Sequence, residues 1–334
     1  MRRPHPLFIA LFMSAVRAMD TLNRATPMPA WCQLQRGFAT HHKTGTMLAR
    51  YVVSKLRQND QALEECRWPE LVIGHVNPGA VHSVWRNDFW QEVPCIAHFV
   101  RNPFEIIVSG YLYHLNKEEP WTTRPLLPEN KSVWHAHAKR PNWQGGLTMH
   151  TFAALSTAQL RQYGVLPSDF PIENLRAGES YASYLERVSP TVGLAVEAMR
   201  AMQHDFPQME QKFLDLQGDD QQGCRANYCL EHFMTTTSAC LSLWREVLRK
   251  LAFPRHWLLS SLSRIKGACA QQNSSQGTTR MEPVPTNDKW KHLGQHRTRH
   301  DDYRQQLLND VRRLDERFFR GRLHALEELL TCPR

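Results

Sequence analysis

The chain has 334 residues, 42% of them apolar and 22% charged. Those proportions exclude a collagen, a coiled coil and a wholly disordered chain, and at about 150 residues per domain the length fits one large domain or two ordinary ones. Forty-one Lys and Arg against 32 Asp and Glu leave a net charge of +9. That surplus favours an anionic partner (nucleic acid, nucleotide, acidic glycan or membrane surface) without choosing among them.

At the N-terminus, Arg2 and Arg3 precede the apolar run Leu7–Val16, and Val16-Arg17-Ala18 offers a small-residue cleavage site. The run is shorter than the ~20 residues that span a bilayer, so residues 1–30 read as a secretory signal or anchor segment with its linker. A short amphipathic helix and a transit peptide are the other readings, and no later segment approaches transmembrane length. The domain proper is taken as 31–330.

Gly37–Thr40 reads as the end of a buried strand. It runs into His41-His42-Lys43-Thr44-Gly45-Thr46, and Met47, Leu48, Tyr51, Val52 and Leu56 then recur on one face of a helix. Glu70–Gly74 and Cys95–Val100 are two further strands, the second apolar enough to be central and parallel. Asn102 is a good N-cap, with Pro103 at the first helical position and Glu105 placed for a capping box. Asn116–Gly146, with Pro120, Pro125, Pro128 and Pro141 and no period, reads as a lid or acceptor loop. Helices are expected over Leu147–Tyr163, Ser180–Leu216 and Thr237–Leu251, with a strand over Cys224–Leu230 between the last two. Gly267–Asn287 is expected to be a flexible loop, and Asp302–Leu330 one long amphipathic helix. Strands alternating with helices imply a parallel α/β sheet. Eight scattered cysteines without a CxxC fit disulfides in an oxidising compartment and free thiols in a reducing one equally well.

Two segments carry chemistry. In Gly37–Thr44 the first Gly, the Lys and the Thr of a phosphate-binding GxxxxGK[ST] loop are correctly spaced, but His42 stands where the second Gly belongs. Backbone N–H groups at a helix start, with Lys43 beside them, still face an anion. In Phe99–Tyr111, Arg101 leaves a strand at its carboxyl edge, where open α/β sheets bind ligands, and Ser109 lies two turns into the next helix. A guanidinium fork suits phosphate.

These segments resemble the sulfotransferases that use 3′-phosphoadenosine 5′-phosphosulfate (PAPS). His42-Lys43-Thr44-Gly45-Thr46-Met47 is similar to that family's 5′-phosphosulfate loop, Met47 departing from its usual neighbourhood, and Arg101 with Ser109 falls on its 3′-phosphate motif. The resemblance implies a P-loop NTPase-like three-layer fold: a short parallel sheet flanked by helices, and a helical C-terminal half. It further implies sulfuryl transfer from PAPS to a hydroxyl or amine, without a metal. His42, Lys43, Thr44, Gly45, Thr46 and Met47 would hold the 5′-phosphosulfate, and Arg101 and Ser109 the 3′-phosphate. Lys43 would also be catalytic, and His75, at the end of the second strand, the counterpart of the family's catalytic base. Glu105 and Glu231 are the runners-up for that role.

Tyr228–Phe233 is similar to a late element of the same family, and Asp288-Lys289-Trp290-Lys291 faintly to a nucleotide-closing segment. The lid-loop residues Trp121, Trp134, Trp143, Lys131, Lys139 and Arg140 favour a carbohydrate over another small-molecule acceptor. His292, His296 and His300 are read as a solvated face. So is the Arg-rich run after Arg312, whose arginines alternate with acids, which argues against nucleic acid. A degenerate-loop kinase or NTPase, and a non-catalytic nucleotide- or glycan-binding protein, are the alternative functions. The secretory pathway and Golgi are the expected location, cytoplasm or an organelle the alternative.

Overall fold

The computed structural model describes residues 36–41, 44, 46–57, 71–75, 93–117, 119–126, 152, 155–162, 166–218, 223–273 and 301–330. Four parallel strands form its centre: β1 (Arg36–Thr40), β2 (Leu71–His75), β3 (Cys95–Val100) and β4 (Arg225–Cys229), in the order β2-β1-β3-β4. Phe38 pairs with Ile73 on one side and Ala97 on the other, and His98 pairs with Asn227. Every residue of β1 and β3 is buried. A strand covered on both faces loses the alternation of an exposed strand and reads as a near-continuous apolar run.

Among the described residues the helices are, in chain order, α1 (Thr46–Arg57), α2 (Pro103–Leu115), α3 (Thr157–Gln162), α4 (Tyr181–Arg187), α5 (Pro190–Gly218), the single turn α6 (Leu230–Phe233), α7 (Thr237–Lys250), α8 (Arg255–Asn273), α9 (Asp301–Leu314) and α10 (Arg322–Leu329). One sheet face presents Phe38, Ala97, Phe99 and Tyr228 to a core built from α1, α7 and α8. That core includes Leu48, Val52, Trp244, Val247, Trp257 and Ile265, and Trp244 packs at 5.8 Å from Phe99 and 5.9 Å from Phe38. On the other side, Val100 joins Phe104, Ile107, Leu194, Met199, Leu307 and Leu323 of α2, α5, α9 and α10. The expected three-layer α/β architecture with a helical C-terminal half is therefore present.

Four helix expectations differ for identifiable reasons. The expected 147–163 helix is interrupted at Leu155 and Ser156, and the Ser156 hydroxyl accepts Gln159 N–H at 3.3 Å at the start of α3. Gly267–Asn273 is the last part of α8, not loop, because Ile265, Ala268 and Cys269 turn inward and Cys269 is bonded to Cys240 of α7. The expected 180–216 helix divides after Arg187, and Pro190 opens α5, as proline does at a first helical position. The expected 302–330 helix breaks after Leu314 into a wide turn, Asp315–Phe319, followed by Arg320 and Gly321 at φ 55° and 72°. Asp315 organises the break by accepting the Leu323 and His324 backbone N–H groups with its two carboxylate oxygens, both at 3.0 Å, which caps α10. A second disulfide, Cys95–Cys224, joins the starts of β3 and β4. Among the described residues no helix is long and apolar enough to cross a membrane.

Candidate functional site

The strand order fixes where a ligand would sit. From β1 the chain leaves through α1 on one sheet face towards β2, whereas from β3 it leaves through α2 on the other. The carboxyl ends of β1 and β3 therefore bound the topological switch point, the crevice in which open α/β sheets bind ligands.

The β1 side of the crevice is a closed turn. Thr44 N–H donates to His41 O at 3.1 Å, Thr44 Oγ1 donates to the same oxygen at 3.0 Å and accepts from His41 N–H. The hydroxyl of Thr44 is thus engaged inside the turn, and it brings the chain into α1 at Thr46. The first amides of α1, which have no carbonyl partner within the helix, open towards the carboxyl edge. Thr46 and Met47 are the first two residues of that helix. His42, Lys43 and Gly45 lie outside the described residues.

Arg101 forms the β3 side. Its Nη2 stands 3.4 Å from Glu105 Oε2 and its Nε 3.8 Å from Glu231 Oε1. Both carboxylates have other bonds: Glu231 Oε1 accepts Asn102 N–H at 2.9 Å, and Glu105 also meets Arg304 of α9. Asn102 caps α2 as expected, accepting Phe104 N–H at 2.9 Å and Glu105 N–H at 3.3 Å, and its amide donates to Glu327 of α10. Ser109 is half-buried and four residues beyond Glu105, so it lies on the same side of α2. His75 ends β2 in register with Thr40. Its backbone is therefore level with the end of β1, one strand out from the crevice, while its side chain lies outside what is described.

Beneath the turn lies a polar chain that the sequence reading did not single out. His41 Nε2 and His98 Nε2 are 2.8 Å apart, His98 Nδ1 is 2.7 Å from Asn227 Oδ1, and Asn227 Nδ2 donates to Phe213 O of α5 at 3.0 Å. Both imidazoles are fully buried. Burial pushes His98 down to about 4, with Lys212 acting in the same direction and the bond to Asn227 opposing. A histidine in the middle of an otherwise apolar central strand was the available signal. Arg304 was missed too, because nothing local marks a helix-surface arginine that folds back onto α2.

Of the lid loop, residues 116–117 and 119–126 are described: they include a short turn over Pro120–Thr123, and beyond it Pro125 bridges Ser180 and Leu126 N–H donates to Glu179 O at 3.2 Å. Trp121 in the turn stacks on Tyr181 at 5.5 Å and donates its indole N–H to Glu119, so it packs within the protein. Trp134, Trp143, Lys131, Lys139 and Arg140, the 288–291 segment and the three late histidines lie outside the described residues. Among the described residues no group of His, Cys, Asp and Glu is arranged to hold a metal ion.

The fold and crevice define a three-layer α/β protein with a strand–turn–helix connection at its switch point. No family model matches the sequence, and no curated protein matches it. Among solved structures it is similar to the mouse sulfotransferase SULT7A1 complexed with PAP, at 11% identity over 93% of this chain and 95% of that one, with a TM-score of 0.37.

Proposed function

We propose that the chain is a sulfotransferase that moves a sulfuryl group from PAPS to a hydroxyl or amine, with carbohydrate the favoured acceptor class. The observation that carries this reading is the β1/β3 crevice. A turn opening α1 forms one wall, and Arg101, whose carboxylate neighbours are at 3.4 and 3.8 Å, forms the other. A nucleotide with anionic groups at both its 5′ and 3′ positions fits that pair of walls. The backbone of Thr44, Gly45 and Thr46 with His42 and Met47 would hold the 5′ end, and Arg101 with Ser109 would read the 3′-phosphate. Since the Thr44 hydroxyl is engaged with His41, its contribution would come through the shape of the turn.

The bound nucleotide supplies the sulfuryl group. Lys43 would neutralise charge growing on the 5′-phosphate oxygen as its bond to sulfur breaks. His75, or a carboxylate in its place, would take the proton that the acceptor loses as its new bond to sulfur forms. The disulfides Cys95–Cys224 and Cys240–Cys269 among the described residues suit an oxidising compartment, which supports a secretory, Golgi-type location over a cytoplasmic one.

Turnover of labelled PAPS against a panel of glycans, phenols, steroids and amines tests the reading. We expect sulfated product from at least one acceptor, and Lys43→Ala should lower kcat by more than about a hundredfold. Absence of PAPS binding in the wild type, or near-normal turnover in Lys43→Ala, overturns it.

A further inference from the structure

We infer that His98 and Asn227 are positioning residues: through His41 they hold the turn that opens α1, and they set which nitrogen of His41 carries its proton. The chain of bonds leaves one consistent assignment. Asn227 donates its amide to Phe213 O, so its Oδ1 is the acceptor that faces His98 Nδ1, and His98 carries its proton there. His98 Nε2 is then a lone pair, and the 2.8 Å contact requires His41 Nε2 to be the donor.

That assignment makes His98 neutral, which agrees with its full burial and its lowered pKa. Lys212 of α5 further disfavours protonation of His98. A single tautomer runs from α5 through β4 and β3 into the first residue after β1. That residue's backbone N–H and C=O are the two groups to which Thr44 fastens the turn. The sheet interior thus sets the geometry of the turn without touching a ligand.

Glycines give such a loop its shape by permitting unusual backbone angles. Here His42 replaces the second Gly of the common loop, and the histidine pair supplies rigidity from below. Pre-ordering of the turn lowers the entropic cost of holding an anion there.

Two measurements on the full-length, disulfide-intact protein test this. Long-range 1H–15N correlation in the free wild type should show His98 protonated at Nδ1 and His41 at Nε2 near pH 7. The opposite tautomer at either ring overturns the assignment. The second compares His98→Phe, which keeps an aromatic ring and removes both bonds, with His98→Gln, which keeps an acceptor for His41. The Thr44 amide should exchange at least tenfold faster in His98→Phe than in the wild type, measured against Ala325 in α10 as an internal control, and His98→Gln should restore most of the protection.

Adenosine 3′,5′-bisphosphate (PAP) is the ligand probe, and this arm alone rests on the proposed function. Its affinity should fall about 5- to 50-fold in His98→Phe and recover in His98→Gln, since a buried bond removed from one side leaves its partner unmet. Equal exchange at Thr44 in all three proteins overturns the inference. So does PAP binding by the wild type that is unaltered in His98→Phe. Should PAP bind none of the proteins while Thr44 exchange follows the predicted order, positioning by His98 stands and the PAPS reading falls. If His98→Phe does not fold, the wild-type tautomers and the Thr44 exchange of His98→Gln decide the matter.

Discussion

Two arginines in this protein are equally buried, their side chains each 10% exposed, yet they are held in opposite ways. Arg200, in α5, meets Glu197 Oε1 with Nε at 3.0 Å and Nη2 at 2.7 Å, and Asp205 at 3.3 Å. Glu197 completes its shell with Tyr181 OH at 2.8 Å and His114 Nδ1 at 3.0 Å. Burial alone would raise the Glu197 carboxyl, but Arg200 and His114 overcome it and hold the group well below the usual range. Arg101 has carboxylates at 3.4 and 3.8 Å, and each of them is bonded elsewhere. Burial is therefore a poor guide to role. Arg200, Glu197, Tyr181 and His114 close on one another at ordinary hydrogen-bond lengths, whereas the carboxylates near Arg101 stand farther off and are shared with Asn102 and Arg304; under the proposed function that cation would meet an incoming anion.

The largest expected effect separates the two directly. Arg200→Met should cost about 3–5 kcal/mol in urea unfolding, because it strands the Glu197 charge in the core. PAP affinity of the protein that remains folded should change little. A cost below about 1 kcal/mol would show that the network is not closed.

Gly110 probes the same network from α2. A Cβ there would lie 2.3 Å from Glu197 Oε1, so Gly110→Ala should destabilise by about 1–3 kcal/mol, the range for overpacking a filled core, as measured by the same unfolding assay.

Acid separates the regions by sign. Burial chiefly raises Asp205 from 3.8 to about 6, with Arg200 opposing. Its contribution is therefore favourable at low pH and is lost as pH rises through about 6. His98 is lowered from 6.5 to about 4, so its contribution is present above 6.5 and is lost as pH falls towards 4. Between about pH 6 and 4 the two oppose each other in the wild type. Asp205→Asn should expose the His98 slope, with stability falling by up to about 1.4 kcal/mol per pH unit on acidification. His98→Phe should tilt the curve the other way. Parallel pH profiles for all three proteins would contradict both assignments.

The smallest effect belongs to Ser109. Removing a neutral hydroxyl contact, as in Ser109→Ala, should weaken PAP binding only about 2- to 10-fold, readable by calorimetry.

Much of this organisation was legible in the sequence. β1, β3 and the Asn102-capped α2 are set by local signals: an apolar run, a capping side chain and a proline at the first turn. Arg101 and Ser109 were singled out by the resemblance to the sulfotransferases' 3′-phosphate motif, an Arg at a strand end with a Ser eight residues on. What stayed hidden depends on contacts between distant segments. His98 reads as an oddity in a strand until β1 and β4 place His41 and Asn227 beside it. The α9–α10 break needs Asp315 to reach forward to Leu323 and His324. Glu197, Arg200 and His114 look like ordinary helix-surface charges until α2, α4 and α5 close over them. The cysteine pattern admitted both redox states, because pairing Cys95 with Cys224 requires β3 and β4 to be neighbours.

The account rests most directly on Arg101 as the reader of a 3′-phosphate at the β1/β3 crevice. Calorimetric titration of the wild type and Arg101→Ala with PAP and with AMP, which lacks that phosphate, isolates the claim. The wild type should bind PAP tighter than AMP by roughly 10- to 150-fold, the scale of a charge-assisted contact of about 1.5–3 kcal/mol, and Arg101→Ala should bind the two alike. Equal affinities in the wild type, or a preference for PAP that survives in Arg101→Ala, would contradict it.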